Sequence, residues 1–131
     1  MTVLLNGRDL TIDQVIEVCR NHEKTALAPE AEEAVKKARA FVERKVADKA
    51  VIYGLTTGFG KFSDVSISTE QTAKLQKNLI MSHTCALGKP YEQKYVRAAM
   101  LLRANSLARG HSGIRLETLQ TLLDMLNAGI H

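Results

Sequence analysis

Apolar residues recur at helical spacing over most of this chain, and the exceptions are short. Val3, Leu4 and Leu5 form a brief apolar run closed by Asn6-Gly7, a turn signal, and predict one short N-terminal strand. Thr11-x-x-Gln14 matches a capping box, in which two side chains satisfy backbone N–H groups across the first helical turn. Leu10 and Val15 can close a hydrophobic staple around it, so a helix is predicted over residues 11–21. Pro29 suits the first turn of a second helix, where its missing N–H has no partner to lose. Glu30, Glu32 and Glu33 follow where the helix dipole favours negative charge. Ala31, Val35, Ala38, Val42 and Val46 continue as a stripe, predicting a long amphipathic helix with a solvated Lys and Arg face.

Residues 51–68 break the periodicity. Gly54, Gly58 and Gly60 fall within seven positions and mark a Gly-rich loop. Ser68-x-x-Gln71 is a second capping box, and a helix is predicted over residues 69–87. Pro90 is expected near the first position of the next helix. The middle of that helix, residues 96–102, is apolar on nearly every side except for Arg97, the pattern of a helix buried among others. Arg109-Gly110-His111-Ser112-Gly113 interrupts it. A last helix is predicted over residues 115–127, with Leu116, Leu119, Leu123 and Leu126 as its stripe and Gly129 as its stop. The fold class is mainly α: about five helices, one short N-terminal strand and a Gly-rich loop, in a single domain over residues 1–131.

Composition narrows the function classes. A chain of 131 residues with 45% hydrophobic content can bury a real core, roughly two thirds of its unfolded surface. The longest apolar run, residues 98–102, is too short for a membrane span, which needs about 20 residues. Aromatics are 5% with no Trp, which argues against base-stacking platforms. Cys19 and Cys85 form no CxxC, and no signal segment follows Met1, so two reduced, buried thiols in a cytoplasmic protein are expected. The net charge of +4 is uneven: residues 1–48 carry eight basic and nine acidic side chains, residues 49–131 ten and five. Yet Arg97, Arg103, Arg109 and Arg115 recur every six residues, which scatters them around a helix instead of building a stripe. Nucleic-acid binding is therefore not expected.

The stretch Tyr53-Gly54-Leu55-Thr56-Thr57-Gly58-Phe59-Gly60 is the most unusual. Its glycines permit close backbone approach to a ligand, and Tyr53 can present a hydroxyl to the same space. A tyrosine has an ordinary pKa near 10, so a base role at neutral pH requires a positive field. The other reading is a tight turn with a buried tyrosine. The loop lacks the Gly-Lys-Ser/Thr ending of a phosphate loop. On the following helix Leu79, His83 and Leu87 share an apolar line edged by Asn78, Ser82 and Cys85. His83 is either a hydrogen-bonded core histidine or an imidazole placed for substrate recognition or proton transfer. The four histidines, at 22, 83, 111 and 131, make no metal-ligand pattern.

Three segments together resemble the aromatic amino acid ammonia-lyase family. They are the octapeptide from Tyr53 to Gly60, Asn78-Leu79-Ile80-Met81-Ser82-His83, and Arg103-Ala104-Asn105-Ser106-Leu107-Ala108-Arg109-Gly110-His111-Ser112-Gly113-Ile114-Arg115. Order and spacing agree over nearly the whole chain, and the Ser82-His83 pair points to the histidine branch. The resemblance implies elimination of ammonia from L-histidine to give urocanate, on an electrophilic methylidene-imidazolone (MIO) made from an internal Ala-Ser-Gly. It implies that Tyr53 is the catalytic base, that Gly60 lines cofactor and substrate, and that His83 contacts the substrate's imidazole. It also implies a homotetramer, because the family builds each active site from several subunits.

No Ala-Ser-Gly occurs in these 131 residues. The expectation is therefore an N-terminal fragment of a longer helical enzyme, inactive by itself. The alternative is a standalone non-catalytic helical module that keeps the fold and binds a partner.

Overall fold

The computed structural model describes residues 2–53, 55, 57 and 69–131, with the side chains of residues 69–73 excepted. Its elements run β1 (Val3–Leu5), α1 (Ile12–Arg20), β2 (Thr25–Leu27), α2 (Pro29–Ala47), α3 (Thr69–His83), α4 (Gln93–Ala108) and α5 (Leu116–Ala128). The mainly α architecture matches expectation. The chain forms two compact units, one from Met1–Val42 with Pro90–His131 and one from Glu43–Lys89.

In the first unit, α1 begins where local chemistry places it. Thr11 caps it, its hydroxyl accepting from the Gln14 N–H at 3.3 Å, while the Gln14 side chain accepts from the Thr11 N–H at 3.0 Å. Leu10 and Val15 both pack against the core. The helix carries the chain from β1 to β2, which pair in parallel with Val3 opposite Thr25 and Leu5 opposite Leu27. A parallel pair needs such a crossover. The sequence reading expects one strand, and the structure has a second: Thr25–Leu27 is too short for a pattern of its own. Its far edge is closed by a side chain. Asn127 accepts from the Thr25 N–H at 2.8 Å and donates to the Thr25 carbonyl at 2.8 Å, taking the place of a third strand.

The core of this unit is aliphatic. Leu5, Val18, Leu101, Leu119 and Leu123 are wholly buried, each worth about 1.5–3 kcal/mol over exposure. On α2 only Ala31 and Val35 of the expected stripe are buried, and Val46 is exposed. The α5 stripe holds at Leu119, Leu123 and Leu126, and Gly129 ends the helix in the left-handed region at φ 74°.

The α4 helix differs from expectation at both ends of its argument. It starts at Gln93, not beside Pro90, with Glu92 extended at the cap. The Glu92 carboxylate pairs with Lys94 at 2.7 Å and caps nothing. Its middle is not buried all round: Leu102 is exposed, while Arg97, the one charged residue there, is only 1% exposed. Arg97 donates from Nε and Nη2 to the Val18 carbonyl (3.2 and 2.8 Å) and from Nη1 to the Leu126 carbonyl (2.9 Å). Both carbonyls lie in the last turns of their helices, where acceptors lack intrahelical donors and the dipole is negative. Two helix ends thus replace the carboxylate that a buried arginine ordinarily needs. Burial pushes the Cys19 thiol up from its ordinary pKa, against the pull of the nearby Arg97 charge.

The Arg109–Gly113 connection packs onto α2. A side chain on Gly110 (φ +71°) would meet the Ala34 backbone at 2.6 Å, and one on Gly113 (φ +69°) would meet Val42 at 2.4 Å. Arg39 donates to the Gly113 carbonyl, and Asn105 accepts from the Gly7 N–H at 3.0 Å. Much of the segment over residues 103–115 therefore acts in packing.

Candidate active site

The second unit, Glu43–Lys89, holds the residues singled out for chemistry. Tyr53 lies in a turn after α2, closed by a hydrogen bond from the Leu55 N–H to the Ile52 carbonyl at 3.1 Å. It is 64% exposed, so the reading of a buried turn tyrosine does not hold. Thr57, four residues on, is buried at 1%. The sequence reading gave Thr57 no role of its own, and nothing in a lone threonine signals burial. Gly60, and with it Gly54 and Gly58, lies outside the described residues, as does the expected cap at Ser68.

His83 is the last residue of α3. The helix ends there, four residues earlier than expected, and side chains join the backbone at its final carbonyls: the Ile80 carbonyl accepts the Thr84 N–H at 2.9 Å as well as a hydroxyl. The Thr84 hydroxyl donates to the Ile80 carbonyl at 2.6 Å and the Ser82 hydroxyl to the Leu79 carbonyl at 2.9 Å. The His83 ring is hydrogen-bonded, with Nδ1 at 2.9 Å from the Leu79 carbonyl and 3.0 Å from the Ser82 hydroxyl. It is exposed and not in a core, and Leu87, on the same line, is 95% exposed. Ile80 and Met81 beside it are exposed as well. Cys85, expected to be buried, is also exposed, while Cys19 is buried, and both are free thiols.

Among the described residues no group of His, Cys, Asp and Glu is arranged to hold a metal ion. No helix there is long and apolar enough to cross a membrane. Among the described residues, a phenol (Tyr53) and an imidazole (His83) of this unit both stand at exposed positions.

A family model described as aromatic amino acid lyase matches residues 10–131, and the chain belongs to that family. Within it, the chain is 52% identical over 129 residues to the histidine ammonia-lyase of Alkaliphilus metalliredigens and 50% identical over 129 residues to that of Bacillus subtilis. Each alignment covers 98% of this chain and 25% of the relative, so the chain spans about a quarter of their length. Among solved structures, histidine ammonia-lyase from Trypanosoma cruzi superposes with a TM-score of 0.88 at 37% identity, covering 98% of this chain and 24% of that one. The ergothioneine-degrading enzyme ergothionase from Treponema denticola superposes at 0.93 with 33% identity, covering 98% and 26%.

Proposed function

We propose that these 131 residues are the N-terminal domain of a histidine ammonia-lyase, which eliminates ammonia from L-histidine to give urocanate. The observation that carries this is identity near 50% to histidine ammonia-lyases across 98% of the chain; the motifs that hold Tyr53 and the Ser82-His83 pair resemble that family's. The exposure of both side chains supports it, because a base and a recognition group must be reachable. Tyr53 accepts the β-proton of the substrate, His83 meets its imidazole ring, and Gly60 lines the same space.

The residues present do not supply the family's MIO group: its Ala-Ser-Gly precursor does not occur here. No step of this chain is therefore routed through it. When bound in the complete enzyme, the group supplies the electrophile that makes the β-proton removable. Completion of the site by other segments, in a cytoplasmic homotetramer, belongs to the same proposal.

The test uses ultraviolet detection of urocanate. The complete enzyme is expected to turn over L-histidine, and the 131-residue chain is expected to give no signal above background. Reproducible turnover by the short chain would overturn the fragment reading. Ergothioneine, assayed beside histidine, checks the substrate. In the complete enzyme His83→Leu is expected to lower kcat/KM for histidine relative to phenylalanine, because leucine packs on a phenyl ring but cannot bond an imidazole. An unchanged ratio would remove His83 from the site.

A further inference from the structure

Three polar atoms meet at the end of α3. The His83 Nδ1 lies 2.9 Å from the Leu79 carbonyl oxygen and 3.0 Å from the Ser82 hydroxyl, and that hydroxyl lies 2.9 Å from the same carbonyl. A carbonyl oxygen only accepts. A bare Nδ1 at this distance would set one lone pair against another, so Nδ1 carries the hydrogen. The hydroxyl donates its own hydrogen to the Leu79 carbonyl and leaves its lone pairs facing Nδ1–H. Every hydrogen then has an acceptor. In the neutral ring the second nitrogen, Nε2, is left with a lone pair and no hydrogen, because the hydrogen bond made by one ring nitrogen fixes the state of the other.

We propose that Ser82 is a positioning residue. Together with the Leu79 carbonyl it holds His83 as the Nδ1–H tautomer, and Nε2 is thereby presented as an acceptor for an N–H of the substrate ring. The proposal rests on the reading of His83 as the residue that meets the substrate, and it adds a direction to that contact. The substrate nitrogen facing His83 must carry hydrogen, so a histidine methylated on that nitrogen is refused. A site built around a polar contact rejects analogues that lack it.

The tautomer is read directly from ring-nitrogen signals of the histidine-labelled 131-residue chain by long-range proton–nitrogen correlation at alkaline pH, with His83 assigned through His83→Gln. The expected spectrum has Nδ1 as a protonated nitrogen and Nε2 as a lone-pair nitrogen. The reverse pattern, or an average of the two, overturns the proposal. Ser82→Ala is expected to move His83 toward a mixture of tautomers, and Ser82→Thr, which can bond the same carbonyl, to retain the Nδ1–H form. In the complete enzyme Ser82→Ala is expected to raise KM for histidine about 3- to 10-fold, the effect of one hydrogen bond. The effect on kcat is expected to be smaller, and Ser82→Thr restores KM. A KM that rises while the tautomer stays fixed assigns Ser82 another role and overturns the proposal. An unchanged KM in His83→Gln beside the expected spectrum removes the substrate contact, and the positioning role with it, while leaving the tautomer standing.

Discussion

The two units of this chain differ in what they bury. Among the described residues, every member of the buried aliphatic cluster lies in the Met1–Val42 and Pro90–His131 unit. The Glu43–Lys89 unit carries Tyr53 and His83 on exposed positions and shows Val51, Ile80, Met81 and Leu87 to solvent. One unit closes its own core. The other contributes no described residue to that cluster and keeps the Tyr53 and His83 side chains exposed, although both units show some apolar side chains to solvent. Stability and activity should therefore respond to different substitutions.

The sharpest way to break that comparison is Arg97→Met. It keeps an unbranched but shorter side chain and removes three hydrogen bonds to the ends of α1 and α5: the buried Val18 carbonyl loses both arginine donors, while the Leu126 carbonyl keeps only the Gly129 N–H at 3.3 Å. A loss of about 3 kcal/mol is expected in chemical denaturation followed by circular dichroism. A variant as stable as the parent would mean that the two helix ends do not depend on the cation.

Tyr53→Phe should behave in the opposite way. In the complete enzyme kcat is expected to fall at least ~10²-fold, the scale of losing a general base. The melting temperature of the short chain should hardly move, because the hydroxyl is on an exposed residue. A near-normal kcat would remove the base role from Tyr53.

Two glycines sharpen the comparison further, because both hold positive φ. In the scaffold unit, Gly110→Ala also drives a methyl into the Ala34 backbone, whereas Gly88, at φ +98° in the other unit, faces open space. The expected costs are about 2–3 kcal/mol for Gly110→Ala and about 1 kcal/mol for Gly88→Ala, read as shifts in denaturation midpoint. Equal shifts would mean that the close approach to α2 carries no weight. An effect as small as that of Gly88→Ala, about 1 kcal/mol, is expected for Thr11→Ala, from loss of a helix cap. Thr11→Ser should recover most of it.

What was legible in the sequence was local. The capping box at Thr11 and Gln14, the α5 leucine stripe and the Gly129 stop each depend on residues within a turn or two, and each stands in the structure. What was illegible depends on partners far along the chain. Thr25–Leu27 is a strand because β1 and Asn127 supply its hydrogen bonds, the latter from 102 residues away. Arg97 read as the flaw in an apolar helix, because the carbonyls that accept its hydrogens lie 79 and 29 residues off. His83 was legible as a residue of interest from its motif. Its exposure and its bond to Leu79 go with its place as the last residue of α3, which the residue pattern put four residues further on.

Arg97 also has a kinetic consequence. Its guanidinium finds its acceptors only after α1 and α5 have both arrived, and the longer of those two closures spans 79 residues. With acceptors so distant in sequence, these bonds are expected to form late, and substitution of Arg97 is then expected to speed unfolding more than it slows folding, as the two limbs of a chevron plot would read. On that expectation Arg97 is a latch, which does little to assemble the scaffold and whose release sets how long the assembled scaffold lasts.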